Sequence, residues 1–185
     1  MENRRTTARR TYRYVTFALA LWYSVSTAQI HIRPSNAPKS TTIQIDPAFY
    51  PVDGVATSGY GWRGGRFHHG LDIGYCNRKL IYPLWNGLVR YAKRGYNGGY
   101  GYLVIVEHEL GLETYYAHLR EVLVKEGDTV TPITPLGRVG STGNSLGPHL
   151  HLECRFFGLS LDPTNLFGKS KLTLKHNGHN YLIYD

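Results

Sequence analysis

The chain has 185 residues, which suffices for one domain with a hydrophobic core and is short for two domains of ordinary size. Its 15 tyrosines and 21 glycines, without long helix-like apolar repeats, favour a β-rich body over a helical bundle. The formal net charge is +8, but residues 1–28 contribute half of it through five arginines and one glutamate. The remainder is mildly basic and lacks a Lys/Arg stripe with interleaved aromatic residues, so we expect no nucleic-acid partner.

Residues 1–28 have the pattern of a secretory signal peptide. Arginines up to Arg13 precede an apolar run over residues 14–25 (YVTFALALWYSV), and small residues ending at Ala28 predict cleavage there. The run is shorter than the about 20 apolar residues of a membrane-spanning helix. Alternatives are an uncleaved amphipathic anchor or a disordered basic tail. We expect an exported protein, periplasmic or secreted, that meets the membrane only transiently, during export.

Three further segments follow the leader. Residues 29–51 are rich in proline, serine and threonine, and predict a linker with at most one short strand around residues 41–45. Residues 52–168 consist of short β-like runs separated by glycine turns, which predicts an all-β domain built as an antiparallel sheet or sandwich. Residues 169–185 form a tail in which Asn177-Gly178 predicts a terminal hairpin.

Two hairpins are predicted inside the domain. Residues 80–91 (LIYPLWNGLVRY) contain Asn86-Gly87, a typical turn, between two short apolar runs. Residues 102–108 (YLVIVEH) are expected to pair antiparallel with residues 113–119 (ETYYAHL) across a glycine turn.

The two cysteines, Cys76 and Cys154, fit an exported protein in which one disulfide is possible. The alternative is a pair of small buried core residues. A role as zinc ligands is less favoured, because histidine and carboxylate donors are already available. The sequence leaves the choice between a disulfide and free thiols open.

The strongest chemical signal lies in residues 141–153 (STGNSLGPHLHLE), where His149 and His151 alternate with Leu150 and Leu152. In an extended strand, alternate side chains leave on the same face. Both imidazoles should therefore point one way, and both leucines the other way, into a core. An HxH pattern alone is a weak zinc signal. In the alternative interpretation one imidazole caps a backbone carbonyl and the other is solvated.

A second group lies in residues 66–75 (RFHHGLDIGY), where His68 and Asp72 are four positions apart. A straight strand would separate them by about 13 Å. Both can hold one metal ion only if the chain bends at Gly70, which glycine allows. Alternatively, Asp72 caps a turn and the two histidines lie at the surface. Combined with the HxH pattern, two histidines and one carboxylate make a three-ligand zinc set with a fourth position for water.

Further histidines stand near these two groups in the sequence. His118, within YYAHL, should lie on the same strand face as Tyr116 if the strand is regular. A hydrolytic zinc site needs a base for the proton of the attacking water and a donor for the oxyanion that forms. His69, His118 and His149 are available for such roles.

These motifs together resemble those of the lysostaphin-type (LytM-like) zinc endopeptidases, which cut peptidoglycan cross-bridges. The shared patterns are HxxxD at residues 68–72, YAHL at residues 116–119 and HxH at residues 149–151. The resemblance extends to GYGWR before the first motif, the turn-rich EGDTV segment and Asp162-Pro163, and covers about residues 57–167. The chain departs from the family in a short loop between Trp62 and His68, which bears on substrate shape.

The resemblance implies a role for each histidine. It makes His68, Asp72 and His151 the ligands of a single Zn²⁺ ion, and His118 and His149 the unliganded histidines beside the metal-bound water. His69 would be a bystander, since this position varies in the family. His108 matches a position that is often histidine in the family, although a surface location at a strand end is favoured. The expected surface histidines are His31, His176 and His179.

The resemblance also implies a function. A monomer with long loops forming a groove around the zinc site would hydrolyse peptide cross-links of bacterial peptidoglycan. One alternative is a catalytically silent regulator or scaffold of cell-wall hydrolysis. Another is a lipoyl- or biotinyl-type carrier, suggested by residues 125–139 (KEGDTVTPITPLGRV). We exclude the carrier, because no lysine sits in a comparable turn.

Overall fold

The computed structural model describes residues 38–177 and 179–184. The predicted signal peptide and residues 29–37 of the predicted linker lie outside the described residues. In the described part, short 3₁₀ turns occur at Asn97–Gly99, Glu109–Gly111 and Pro163–Asn165. No helix in that part is long and apolar enough to cross a membrane. The strands are β1 (Ser40–Gln44), β2 (Val55–Ser58), β3 (Gly61–Arg63), β4 (Arg66–His68), β5 (Leu71–Gly74), β6 (Leu80–Ile81), β7 (Gly87–Lys93), β8 (Tyr102–Glu107), β9 (Leu112–Val122), β10 (Thr129–Val130), β11 (Gly137–Val139), β12 (Leu150–Phe156), β13 (Leu159–Leu161), β14 (Lys171–His176) and β15 (Tyr181–Tyr184).

The main sheet has the strand order β10-β7-β8-β9-β12-β5-β2, and every pairing in it is antiparallel. Beside this path, β11 pairs with β9 and β6, β13 pairs with β12, and β3 and β4 form a separate hairpin. The prediction of an all-β, antiparallel fold is confirmed. The long strand β9 and its neighbour β12 lie in the interior of the sheet. β9 carries His118, β12 carries His151, and β5 on the other side of β12 carries Asp72.

The two faces of β12 differ in polarity. Leu150 and Leu152 are fully buried and belong to the main core, together with Tyr116 of β9. The predicted inward orientation of the two leucines is therefore confirmed. Fully burying such a side chain contributes about 1.5–3 kcal/mol. This burial fixes the register of the strand, because a slip by one residue would exchange its two faces.

A small sheet of β1, β14 and β15 lies beside the main one. The short strand expected near residues 41–45 corresponds to β1, and the terminal hairpin to β14 and β15; both predictions are confirmed. Leu172 and Leu174 of β14 are fully buried in the main core. The core therefore draws on residues beyond 52–168, the range predicted for the domain.

The predicted hairpin over residues 80–91 is wrong. β6 pairs with β11, whereas β7 pairs with β8 and β10. Pro83 interrupts the run because it has no backbone N–H to donate. The following Leu84 and Trp85 are buried, and the Leu84 N–H donates to the Tyr116 hydroxyl at 3.0 Å. Glycine is needed at position 87 because β7 begins close against β8 there, and a Cβ would meet Val106 Cγ1 at 2.6 Å.

The other predicted hairpin is confirmed, as β8 and β9 pair antiparallel across the turn at Glu109–Gly111.

Cys76 and Cys154 are both buried with free thiols, which corresponds to the alternative of two small core residues. The Cys76 thiol donates to the Ile73 carbonyl at 2.9 Å. Burial raises the pKa of both thiols, which keeps them protonated at neutral pH.

Candidate metal centre

The turn between β4 and β5 brings His68 to Asp72. The chain bends at Gly70, as predicted, so that His68 Nε2 lies 3.1 Å from Asp72 Oδ1. A Cβ at Gly70 would overlap the Leu152 carbonyl oxygen and would meet His151 Cε1 at 2.9 Å. Glycine thus serves two purposes here, since it permits the bend and lets the turn pack against β12.

Strand pairing adds the third donor. β5 and β12 are antiparallel neighbours in which Asp72 stands directly opposite His151. His151 Nδ1 lies 2.8 Å from Asp72 Oδ1 and 3.0 Å from His68 Nε2. Two imidazole nitrogens and one carboxylate oxygen therefore converge on one point. Donor atoms around a tetrahedral zinc ion lie about 3.3 Å apart at its usual bond lengths, so this set fits zinc after a small outward adjustment.

Each of the two imidazoles in the donor set is held through its other nitrogen. His68 Nδ1 lies 2.7 Å from the Gly59 carbonyl oxygen, to which it donates, and this leaves Nε2 as the free donor atom. His151 Nε2 lies 3.0 Å from Glu153 Oε1, which leaves Nδ1 for a metal. Such partners fix the tautomer and the ring orientation of metal-binding histidines.

Glu153 is a functional candidate that the sequence interpretation missed. It is 1% exposed, and it accepts hydrogen bonds from the Tyr100 hydroxyl at 2.7 Å and from Arg155 Nε at 2.8 Å. Burial raises its pKa, but the hydrogen bond with His151 and the charge of Arg155 outweigh burial and lower the pKa to about 2. The available signal was its position two residues after His151, which places both side chains on the same strand face.

Hydrogen bonds within the donor set shift the pKa of Asp72 and of His151. Burial raises the pKa of Asp72, but hydrogen bonds from His151 and His68 outweigh burial and lower the pKa well below its usual range. Burial lowers the pKa of His151, whereas its bonds to Asp72 and Glu153 raise the pKa to about 9. Binding of a metal ion at His151 Nδ1 would require that this nitrogen carry no proton.

His118 reaches the site because β9 bulges there. The pairing of β8 with β9 shifts register, and His118 has φ 60°, in the left-handed region. Ala117 stands opposite His151 and lies on the face of the sheet that carries the donors. Leu119, two residues later, is buried in the main core. The prediction that Tyr116 and His118 share a face is wrong, because the extra residue of the bulge turns His118 away from the core.

His118 and His149 lie beside the three donors. Their ring centroids are 4.8 Å apart, and His149 Nε2 is 3.7 Å from Asp72 Oδ1. His118 Nδ1 donates to the Thr142 carbonyl and His149 Nδ1 to the Gly147 carbonyl, both at 2.8 Å. In this tautomer each ring offers Nε2 as a proton acceptor. Burial lowers the pKa of His118 to about 4, so this ring is neutral at pH 7.

A cleft of about 930 Å³ opens above these five side chains. Tyr75 and Leu146 line it with exposed side chains, at 83% and 106% exposure, and give the cleft an apolar rim. A second cavity of about 270 Å³ adjoins the site and shares His68, His118 and His151 with the cleft. An extended ligand could therefore lie across the donors.

The remaining described histidines do not belong to the donor set. His69 lines the second cavity, and its Nδ1 lies 3.1 Å from Ser160 Oγ. The surface location predicted for His108 is wrong, since it is 8% exposed and bonded to Asn86 and Thr114. His179 is exposed and His176 half-buried. His31 lies outside the described residues.

Comparison with known proteins agrees with this arrangement. Residues 66–163, more than half of the chain, match Peptidase family M23. A segment of 101 residues, 55% of this chain, is 38% identical to the "DD-carboxypeptidase/endopeptidase Mpg" of Neisseria meningitidis and spans 23% of that protein. A segment of 130 residues, 70% of this chain, is 32% identical to the "Murein hydrolase activator NlpD" of Salmonella dublin and spans 34% of it. The matched segments thus span about a quarter to a third of these two relatives.

A solved structure shares the fold as well. The catalytic domain of the antimicrobial peptidase lysostaphin from Staphylococcus simulans superposes with a TM-score of 0.56 at 27% sequence identity. The superposition covers 61% of this chain and 91% of that domain. The resemblance to lysostaphin-type proteins is therefore confirmed, and the chain belongs to peptidase family M23.

Proposed function

We propose that the chain is a zinc-dependent endopeptidase that hydrolyses peptide cross-links of bacterial peptidoglycan. The observation that carries this proposal is the convergence of His68 Nε2, Asp72 Oδ1 and His151 Nδ1, with two further imidazoles beside them. Membership in a peptidase family supports hydrolysis of an amide bond.

In this proposal His68, Asp72 and His151 hold one zinc ion. When bound, zinc supplies a Lewis acid that polarises a carbonyl and acidifies water. Asp72 contributes one negative charge, and Arg63 Nη2 lies 3.5 Å from its second oxygen, Oδ2. Glu153 keeps the His151 ring in place through its Nε2.

His118 and His149 handle the proton. In the tautomer that their carbonyl partners select, either ring can accept the proton of the attacking water at Nε2. The ring that accepts it becomes a cation and can then donate to the oxyanion or to the leaving amine. A ring in this neutral tautomer cannot donate from Nε2, so oxyanion stabilisation follows proton transfer.

The choice of substrate rests on the relatives. These relatives are named as a DD-carboxypeptidase/endopeptidase and as a murein hydrolase activator, and both names point to peptidoglycan. We extend this to a monomer that is exported through residues 1–28 and acts in the periplasm or after secretion.

A second candidate is a catalytically silent activator of other murein hydrolases. The 32% identity to NlpD over 130 residues favours it. The enzyme remains the preferred proposal, because a protein that only binds a partner has no need of three converging metal donors with two further imidazoles beside them.

A digestion experiment distinguishes these candidates. The full chain, with zinc or with a chelator, is incubated with peptidoglycans that carry direct D-alanyl–diaminopimelate cross-links or glycine bridges. Fragments are identified by mass spectrometry. Chelator-sensitive release of cross-link fragments supports the enzyme. Zinc binding without any cleavage, combined with stimulation of an added murein amidase, supports the activator.

A further inference from the structure

The hairpin of β3 and β4 carries two arginines at its tip. Gly64 and Gly65 form a two-residue turn with φ 54° and 82°, the backbone that a type I′ turn requires. Arg63 and Arg66 consequently stand directly opposite each other. Like charges in this position destabilise an antiparallel pair. The hairpin therefore holds a costly concentration of positive charge at the edge of the cleft.

The two arginines differ in their partners. Arg63 is engaged within the chain, since it contacts Asp72 Oδ2 at 3.5 Å and Ser58 Oγ. Among the described residues, no carboxylate lies within ion-pair distance of Arg66, which is exposed. The guanidinium of Arg66 is thus available to a ligand.

Arg66 faces the candidate metal centre. It lies two residues before His68 on β4, so both side chains leave the strand on the same face, about 7 Å apart along it. Arg66 lines both the large cleft and the adjoining cavity. An extended ligand lying across the metal donors would pass within reach of its guanidinium.

Other charges around the two cavities are already paired. Asp72 belongs to the donor set, and Glu153 is bonded to His151, Tyr100 and Arg155. Arg66 therefore supplies the available charge on this wall, and its planar fork of donors matches a carboxylate.

We infer that Arg66 binds a substrate carboxylate on the carbon that bears the leaving amine, next to the bond that is cut. This inference rests on the proposed function and names its substrate class. A direct D-alanyl–diaminopimelate cross-link has such a carboxylate. A cross-link through glycine bridges or a lysine side-chain amine has a CH₂ group in that place. Arg66 is thus a specificity-determining residue for D-alanyl–diaminopimelate cross-links.

The test uses two soluble cross-linked muropeptide dimers. One carries the free carboxylate on that carbon, and in the other it is converted to the amide. Cleavage gives kcat/KM for the zinc-loaded chain, and binding of both dimers is measured by calorimetry with the His149→Ala variant. With Arg66 intact, we expect a preference for the free carboxylate of about 10- to 100-fold, both in kcat/KM of the wild type and in binding to His149→Ala, as for a charge-assisted bidentate contact.

Variants of Arg66 isolate its contribution. Arg66→Ala should lower kcat/KM and affinity for the carboxylate dimer only, which abolishes the preference. Arg66→Lys should retain part of the preference. Arg94→Ala removes another exposed arginine, one that lines neither cavity, and should behave as the wild type.

Two results would overturn the inference: equal use of both dimers by the wild type, or an equal loss on both dimers in Arg66→Ala. A binding preference that depends on Arg66, without cleavage of either dimer, would support the carboxylate site and reject the proposed enzyme.

Discussion

His151 lies between two carboxylates, with Asp72 on its Nδ1 side at 2.8 Å and Glu153 on its Nε2 side at 3.0 Å. Only Asp72 is placed to share a metal with it. Glu153 is buried and anchored by Tyr100 and Arg155, so its effect on the site passes through the imidazole. At the scale of single residues, the geometry of the three donors therefore depends on a side chain outside that set.

Replacing Glu153 tests this dependence. Glu153→Gln keeps an oxygen that can accept from His151 Nε2 but removes the charge and the ion pair with Arg155. We expect zinc affinity to fall about 10- to 100-fold, as for other partners of metal-binding histidines. Competition with a chelating dye measures this loss. Glu126→Gln, at an exposed glutamate, is the control. Unchanged affinity in Glu153→Gln would contradict the positioning role.

His108 makes stability depend on pH. Burial lowers its pKa to about 4, against 6.5 in an unfolded chain, although the hydrogen bond to Asn86 opposes the shift. The unfolded chain therefore binds the proton first as pH falls. The stabilisation from neutral His108 is complete above pH 6.5 and is lost as pH falls towards 4, by up to about 3 kcal/mol.

Urea unfolding of the zinc-free protein checks this expectation. His108→Asn keeps a donor for the Asn86 carbonyl but cannot titrate. The wild type's advantage in unfolding free energy over this variant should shrink between pH 7 and pH 4. Other titrating groups, including His118, are common to both proteins and cancel in the difference. A constant difference across that range would show that His108 is not held neutral.

At the scale of elements, two local departures from regular strands build the site. The bend at Gly70 returns the chain so that β4 and β5 each supply a donor, and the bulge at His118 turns one side chain of β9 out of the core. Strands without these irregularities would carry the same residues on the wrong faces or too far apart.

Gly70→Ala tests the contact between the turn and β12. The added methyl group would overlap the Leu152 carbonyl oxygen and would lie 3.0 Å from Glu153 Cγ, so β12 must move. We expect an unfolding free energy lower by about 1–3 kcal/mol, together with weaker zinc binding. Thermal unfolding and zinc titration measure the two effects. Wild-type values in both would show that the turn does not set the position of His151.

The extent to which the site could be predicted follows from the range of the interactions. Alternation of His149 and His151 with two leucines, and the flexibility of Gly70, are local properties and predicted the geometry correctly. The roles of Glu153 and His118 depend on partners far away in sequence, such as Tyr100, and on a bulge without a local signal. Single-strand periodicity cannot supply such information.

At the scale of the whole molecule, the antiparallel all-β class was predictable from short apolar runs between glycine turns. The strands that pair with β6 and β7 could not be predicted, because Asn86-Gly87 is typical of a turn between two strands that pair with each other. Instead, Pro83 ends the run after β6, and the chain continues into the core at the buried Leu84. Likewise β14 packs Leu172 and Leu174 against the main sheet, which no property of the tail alone indicates.

The most direct measurement combines zinc content with peptidoglycan cleavage in the wild type and in His151→Ala and His149→Ala. We predict one zinc ion per wild-type chain and cleavage that stops with chelator and returns with zinc. His151→Ala should lose both metal and cleavage, because a ligand is missing. His149→Ala should keep the metal and lose cleavage by about 100-fold or more, because proton transfer is impaired. Cleavage that persists without zinc, or loss of the metal in His149→Ala, would contradict the proposed site.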